Sequence, residues 1–249
     1  MENILRLLFL SVCFLTMIAN ASENHFDPPA QLTNYKYTFS RAEYFHVSFA
    51  DYPKGQESSY ELHFQEATWL PREIIPGRRG LLISGINHSD DLFMYAYKRL
   101  EGLKPNTPYH VTFSLEFASN APSAESGTGG SPGSSVYVKI GVVAHEPERY
   151  LDENNYYRMN LDKGNQSTDG KDMIIIGTVG VDTHDAIYTL KTLPFQPTAE
   201  MQEKIEKYTF TTDENGKAWL VFGTDSGFES KSTFFYTNIV AIFHEINTN

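Results

Sequence analysis

Apolar and polar residues alternate along much of this chain with a period of two. Over residues 109–117, Val111, Phe113, Leu115 and Phe117 fall on one face and His110, Thr112, Ser114 and Glu116 on the other. The same alternation returns in Val136, Val138, Ile140 and Val142, opposed by Tyr137 and Lys139. That period is the signature of a strand with one face in a core, so both segments are expected as half-buried strands. Further strands are expected over 60–64, 80–84, 92–98, 156–161, 173–178, 186–190, 208–212, 218–223 and 234–243. So many strands exceed the needs of a small module, and they predict an all-β chain built as an antiparallel β-sandwich.

Turn chemistry separates these segments. Asp213-Glu214-Asn215-Gly216 lies between two of them, and Asn-Gly supplies the positive φ angles of a tight hairpin, so the flanking strands are expected to pair. Residues 119–135 are rich in Ser, Gly and Pro and poor in large apolar side chains, which predicts a long surface loop. Met201, Ile205 and Tyr208 recur at helical spacing behind Thr198, a good N-cap, so one short amphipathic helix is expected over 198–208. The strands on either side of the long loop have complementary patterns, which favours a single domain over 22–249.

The N-terminus changes the picture of the compartment. An apolar run from Leu7 to Ile18 leads to Ala19-Asn20-Ala21, a small-x-small cleavage site. The run is shorter than the roughly 20 residues of a membrane span, so residues 1–21 are expected to be a signal peptide and the mature chain to begin at Ser22. The one cysteine, Cys13, lies inside that run. The mature protein is then expected to lack a disulfide, a thiol nucleophile or a cysteine metal site, and to be secreted or periplasmic. The roughly 228 remaining residues suffice for one large core, and the 17 Phe and 15 Tyr favour strands. A formal charge of -11, with 20 basic residues scattered among 31 acidic ones, makes nucleic acid and anionic membranes poor partners.

A resemblance enters at Leu100-Glu101-Gly102-Leu103-Lys104-Pro105-Asn106-Thr107-Pro108-Tyr109, which is followed by an alternating strand. It resembles the Leu-x-Pro-x-x-x-Tyr lead-in of fibronectin type III domains and of jelly-roll carbohydrate-binding modules of the galactose-binding-like class. Length favours the second, a type III domain having about half this many residues. The segment 208–243 is similar to the ending of such jelly rolls, with Thr237 where many carry an aspartate. The resemblance implies a jelly roll that binds a glycan. The whole chain also looks like uncharacterised exported bacterial proteins sharing Asn-His-Ser-Asp-Asp-Leu-Phe-Met and Asp-Lys-Gly-Asn-Gln, a likeness that implies no activity.

Two segments concentrate polar side chains. In Gly85-Ile86-Asn87-His88-Ser89-Asp90-Asp91, the side chains of Asn87, Asp90 and Asp91 could hydrogen-bond sugar hydroxyls, with His88 beside them, or Asp90 and Asp91 could hold calcium. The alternative is a loop whose Asn87 and Ser89 satisfy local backbone groups. The adjacent acids precede an apolar strand, where one carboxylate would point toward the core, and a cation would offset that cost. In the second segment, Arg158, Asn160 and Asp162 share one face of an expected strand and Asn165 and Gln166 follow a glycine turn, a polar row suited to polyol recognition. A solvated strand face is the alternative.

Other constellations lack a necessary part. Residues 165–170 mimic the first half of a calcium loop, but Ile176 stands where the bidentate glutamate belongs. The run 127–133 is glycine-rich without the lysine of a phosphate loop, and no Gly-x-Ser-x-Gly elbow occurs. Carboxylate pairs such as Glu116 with Asp162 or Asp90 with Glu61 would serve a glycosidase only at the right separation. The leading expectation is an exported, non-catalytic binding protein for a glycan or other polar polymer. The alternatives are a glycan-active hydrolase or lyase using a carboxylate pair, and a surface or structural interaction protein without a small ligand.

Overall fold

The computed structural model describes residues 32–74, 76–183 and 185–247. The expected signal peptide, its cleavage site and Cys13 lie outside the described residues. In chain order the first strands are β1 (Leu32–Thr38), β2 (His46–Ala50), β3 (Tyr52–Pro53), β4 (His63–Trp69) and β5 (Arg79–Ile86). Then come β6 (Leu92–Leu100), β7 (Pro108–Ser119), β8 (Val136–Val143), β9 (Arg149–Leu151) and β10 (Tyr156–Met159). The chain continues through β11 (Ile174–Thr178), β12 (Thr189–Leu193), α1 (Ala199–Glu206), β13 (Thr209–Thr211), β14 (Ala218–Ser226) and β15 (Lys231–Glu245). Among the described residues, no helix is long and apolar enough to cross a membrane.

The strands form an antiparallel β-sandwich of jelly-roll type. One sheet has seven strands, ordered β12-β7-β15-β5-β4, with β1 also paired to β15 and β13 to β7; the other has five, ordered β11-β8-β14-β6-β2. Alternation builds the core between them. Val111, Leu115 and Phe117 of β7 meet Val136, Val138 and Ile140 of β8 in one apolar cluster. Each such side chain contributes about 1.5–3 kcal/mol when fully buried. A small third sheet, ordered β3-β10-β9, is formed by the short segments around Tyr52 and Tyr157.

The five-stranded sheet is covered on its outer side as well. Phe93, Tyr95, Trp219 and Val221 point away from the main core and meet Met159, Leu161 and Met173 of the segment that follows β9. All nine residues of β14 are therefore buried. This corrects the expectation for β8, because Lys139 on its polar face is enclosed rather than solvated.

The expected hairpin at 213–216 is also corrected. The strand before it, β13, pairs with β7, whereas β14 pairs with β6 and β8 in the other sheet. The turn is real, since the Asp213 carboxylate accepts from the amides of Asn215 at 2.9 Å and Lys217 at 2.7 Å and Gly216 has φ +70°. Thr212, buried and hydrogen-bonded to the Thr107 amide and the Lys104 carbonyl, anchors the chain so that the turn carries it between sheets. Trp69 ends β4 with Arg79 stacked 4.1 Å above its ring.

Two local readings match the structure. Thr198 caps α1, its hydroxyl accepting from the Met201 amide at 3.2 Å, and Ile205 is buried. In the lead-in to β7, the Tyr109 hydroxyl accepts from the Lys104 amide at 3.0 Å, a tyrosine corner that fixes where β7 begins.

Candidate functional site

The site lies on the outer face of the five-stranded sheet and begins with a charge pair inside it. Lys139 of β8 and Asp225 of β14 are diagonal neighbours, because the register pairs Lys139 with Gly223 and Asp225 with Tyr137. Their charged atoms lie 2.9 Å apart and neither side chain reaches solvent. Burial disfavours the ammonium and lowers the Lys139 pKa, with Asp225 acting in the opposite sense.

That pair holds the covering loop. The Lys139 ammonium also donates to the carbonyls of Lys163 at 2.7 Å and Thr168 at 3.0 Å. Asp225 Oδ2 accepts from the Gln166 amide at 2.9 Å and from Lys163 Nζ at 2.9 Å. Gly164, at φ +71°, and Gly170 let the loop fold onto itself, since a Cβ on either would strike the backbone opposite. The Asp162 carboxylate closes it by accepting from the amides of Gly164 and Lys171, each at 3.1 Å, and these bonds lower its pKa.

Above the loop is a cavity of about 350 Å³ lined by Asp51, Asp91, Tyr150, Asp152, Arg158, Lys163 and neighbouring residues. Asp51 occupies the left-handed link between β2 and β3 at φ +65°, and its amide donates to the Tyr157 carbonyl. Arg158 at the centre donates to Asp51 Oδ1 at 2.8 Å and to Asp152 Oδ2 at 3.0 Å. Lys163 stands 2.9 Å from Asp225 and 3.1 Å from Asp51. Burial works against its ammonium, but Asp225, Asp51 and Asp91 outweigh it and raise the Lys163 pKa.

Asp91 is the poorly matched member. It lies 3.7 Å from Arg158 and 3.9 Å from Lys163, beyond good hydrogen-bond reach. Its Oδ1 is buried without a hydrogen-bond partner, whereas Asp51 Oδ2, also buried, has the Lys163 ammonium 3.1 Å away. Burial, and after it the charge of Asp51, push the Asp91 carboxyl up to about 7.

The structure divides the residues singled out in the sequence. Asp91, Arg158, Asp162 and Asn165 line the cavity together. Gln166 is not among the lining residues and donates through its side chain to the Asp90 carbonyl. Asp90 itself is exposed at φ +59°. Asn87 is a scaffold residue: Nδ2 donates to the carbonyls of Ser226 and Phe228, and Oδ1 accepts from the amides of Ser89 and Asp91. His88 bonds the Ser59 carbonyl and sits edge-on to Tyr60, away from the cavity.

Asn160 caps the backbone at Glu146 and Glu148, because β10 ends at Met159 and the expected three-residue polar row is broken there. Glu116 lies elsewhere, its Oε1 accepting from Arg78, Thr237 and Asn238, so it does not face Asp162. Glu61 is paired with Lys231. Among the described residues, no three His, Cys, Asp or Glu side chains converge in a geometry that could hold a metal ion.

Sequence reasoning missed Asp51, Lys139, Asp152 and Asp225. The detectable signal was Asp225, a carboxylate at the end of the apolar run that begins at Ala218. A charge continuing a buried strand needs a partner across the sheet.

No family model matches the chain, and no curated protein matches it. Solved structures similar to it include a carbohydrate-binding module studied for specific mannan recognition, TmCBM27, at 11% identity and TM-score 0.36 over 86% of this chain and 98% of that one. Another comes from work on promiscuous carbohydrate-binding modules of the β-sandwich superfamily, at 8% identity and TM-score 0.31 over 87% of this chain and 57% of that one. A third is a module specific for non-crystalline cellulose, CBM28, at 9% identity and TM-score 0.29 over 75% and 80% of the two chains. The cavity residues are defined by their own geometry.

Proposed function

We propose that this is an exported binding protein that takes a glycan into the cavity above the 161–170 loop. The observation that carries the reading is the partly exposed Asp91 carboxylate, which lines an open cavity with its nearest cations 3.7 and 3.9 Å away, beyond good hydrogen-bond reach. Such an acceptor favours a ligand rich in hydroxyl donors. Arg158 and Asn165 supply donors on the same wall, and the half-exposed ring of Tyr150 offers an apolar face against which a sugar ring can lie. Tight internal pairing of the charges pre-organises this surface, which suits recognition.

Migration of the mature protein through native gels containing soluble neutral and charged polysaccharides tests the reading. At least one polysaccharide should retard the wild type, and a Tyr150→Ala, Asp91→Asn variant of unchanged melting temperature should run as it does in a blank gel. Unretarded migration of wild type throughout would overturn glycan binding.

A second reading, glycan cleavage, is favoured by the Asp91 carboxyl at about 7, a value suited to a general acid near neutral pH. Release of new reducing ends or unsaturated products from a retarding polysaccharide would establish it, and intact polysaccharide after prolonged incubation would leave binding alone.

A further inference from the structure

The charge arrangement of the cavity narrows the ligand class, given the glycan reading above. Four carboxylates line it, from Asp51, Asp91, Asp152 and Asp162, against two cations, Arg158 and Lys163. Both cations are already engaged. Arg158 is held by Asp51 and Asp152, and Lys163 by Asp225 and Asp51. The deeper Lys139 pairs with Asp225 and brings no surplus positive charge. An anionic sugar would thus meet excess negative charge, whereas Asp91 has no cation within hydrogen-bond reach.

We infer that the cavity selects glycans bearing a free ammonium group, an unacetylated amino sugar, with the ammonium placed against the Asp91 carboxylate. A protonated amine supplies both things the Asp91 carboxylate lacks, a close positive charge and donors for its exposed side, where the nearest cation stands 3.7 Å away. A hydroxyl supplies only the second, and an acetamide supplies one weak donor without charge. Because Asp91 is held partly protonated near neutral pH, pairing with an ammonium expels a proton.

The test is calorimetric titration of the full mature protein at about pH 6 with three oligosaccharides of equal length: glucosamine, N-acetylglucosamine and glucose oligomers. The glucosamine oligomer should bind about tenfold or more tightly than the other two. Its apparent enthalpy should change between buffers of different ionisation enthalpy, revealing proton release in wild-type protein without any variant. Asp91→Asn should lower the preference to about twofold or less. Equal affinity for the three sugars would overturn the inference and leave the glycan reading intact. Preference for the glucosamine oligomer without proton release, or unchanged in Asp91→Asn, would overturn the assignment to Asp91. Binding of none of them overturns the inference, and the polysaccharide gels then decide the glycan reading separately.

Discussion

The ammonium of Lys163 lies 2.9 Å from the carboxylate of Asp225, and both side chains are withdrawn from water. The pair joins the covering loop to the central strand of the five-stranded sheet. Asp225 Oδ2 also receives Lys139 and the Gln166 amide, so one oxygen organises the floor of the cavity.

Replacing Asp225 by alanine leaves two enclosed ammonium groups with less opposing charge. Breaking a buried pair from one side costs about 3–5 kcal/mol, and chemical denaturation should show a loss of that order. A loss below about 1 kcal/mol, the range of exposed pairs, would contradict the role assigned to Asp225.

Asp91 gives the protein a pH dependence of defined sign. Its carboxyl is raised from 3.8 to about 7, first by burial and then by Asp51, so the folded state keeps a proton that the unfolded chain loses. Between about pH 4 and 7 the folded state binds more protons, and this group's contribution to stability falls as pH rises through that window and levels off above it. Asp91→Asn should remove the slope and exceed wild type in stability at pH 8 by on the order of 2 kcal/mol, after allowance for partial exposure. Urea midpoints of both proteins from pH 4 to 8 would show it; parallel curves would contradict it.

Much of the sandwich is legible in the sequence because a period of two is a local signal. The inner faces of β7 and β8 and the Thr198 cap of α1 follow from neighbouring residues alone. Pairing is not local. The turn at Asp213 looks like a hairpin, yet where β13 and β14 find partners is decided by β7, β6 and β8. The same divide runs through the cavity. Asp91, Arg158, Asp162 and Asn165 stand in polar segments that are visible as such, whereas Arg158 meets Asp51 across 107 positions of sequence and Lys163 meets Asp225 across 62. Nothing in the alternation of β8 distinguishes an enclosed Lys139 from a solvated one.

Asn87 is expected to matter for stability rather than for ligand contact. Its side chain is buried and bonded to the carbonyls of Ser226 and Phe228 and the amides of Ser89 and Asp91. Asn87→Ala strands these groups, and leaving buried polar groups unsatisfied costs about 1–3 kcal/mol each. The melting temperature should fall by several degrees, while His88→Ala should not change affinity for any retained polysaccharide. A stable Asn87→Ala protein that had lost binding would assign Asn87 to the ligand instead.

Calcium at Asp90 and Asp91 is open to direct test. Asp90 is exposed rather than turned toward the core, and among the described residues no three His, Cys, Asp or Glu side chains converge in a geometry that could hold a metal ion. Millimolar calcium is accordingly expected to leave the melting temperature unchanged, and chelator likewise. A calcium-dependent rise that disappears in the Asp90→Asn, Asp91→Asn double variant would establish a cation site, since a ligand that binds only the folded state stabilises it.

The central claim, that a glycan enters the cavity above the 161–170 loop, is tested most directly by following backbone amide resonances while titrating the mature protein with an oligosaccharide of a polysaccharide that retards it. The account predicts saturable shifts at Tyr150, Asp152, Arg158 and 162–165, residues at the cavity wall. Shifts confined to the exposed Phe64 and Trp69 of β4, with the cavity residues unmoved, would contradict it.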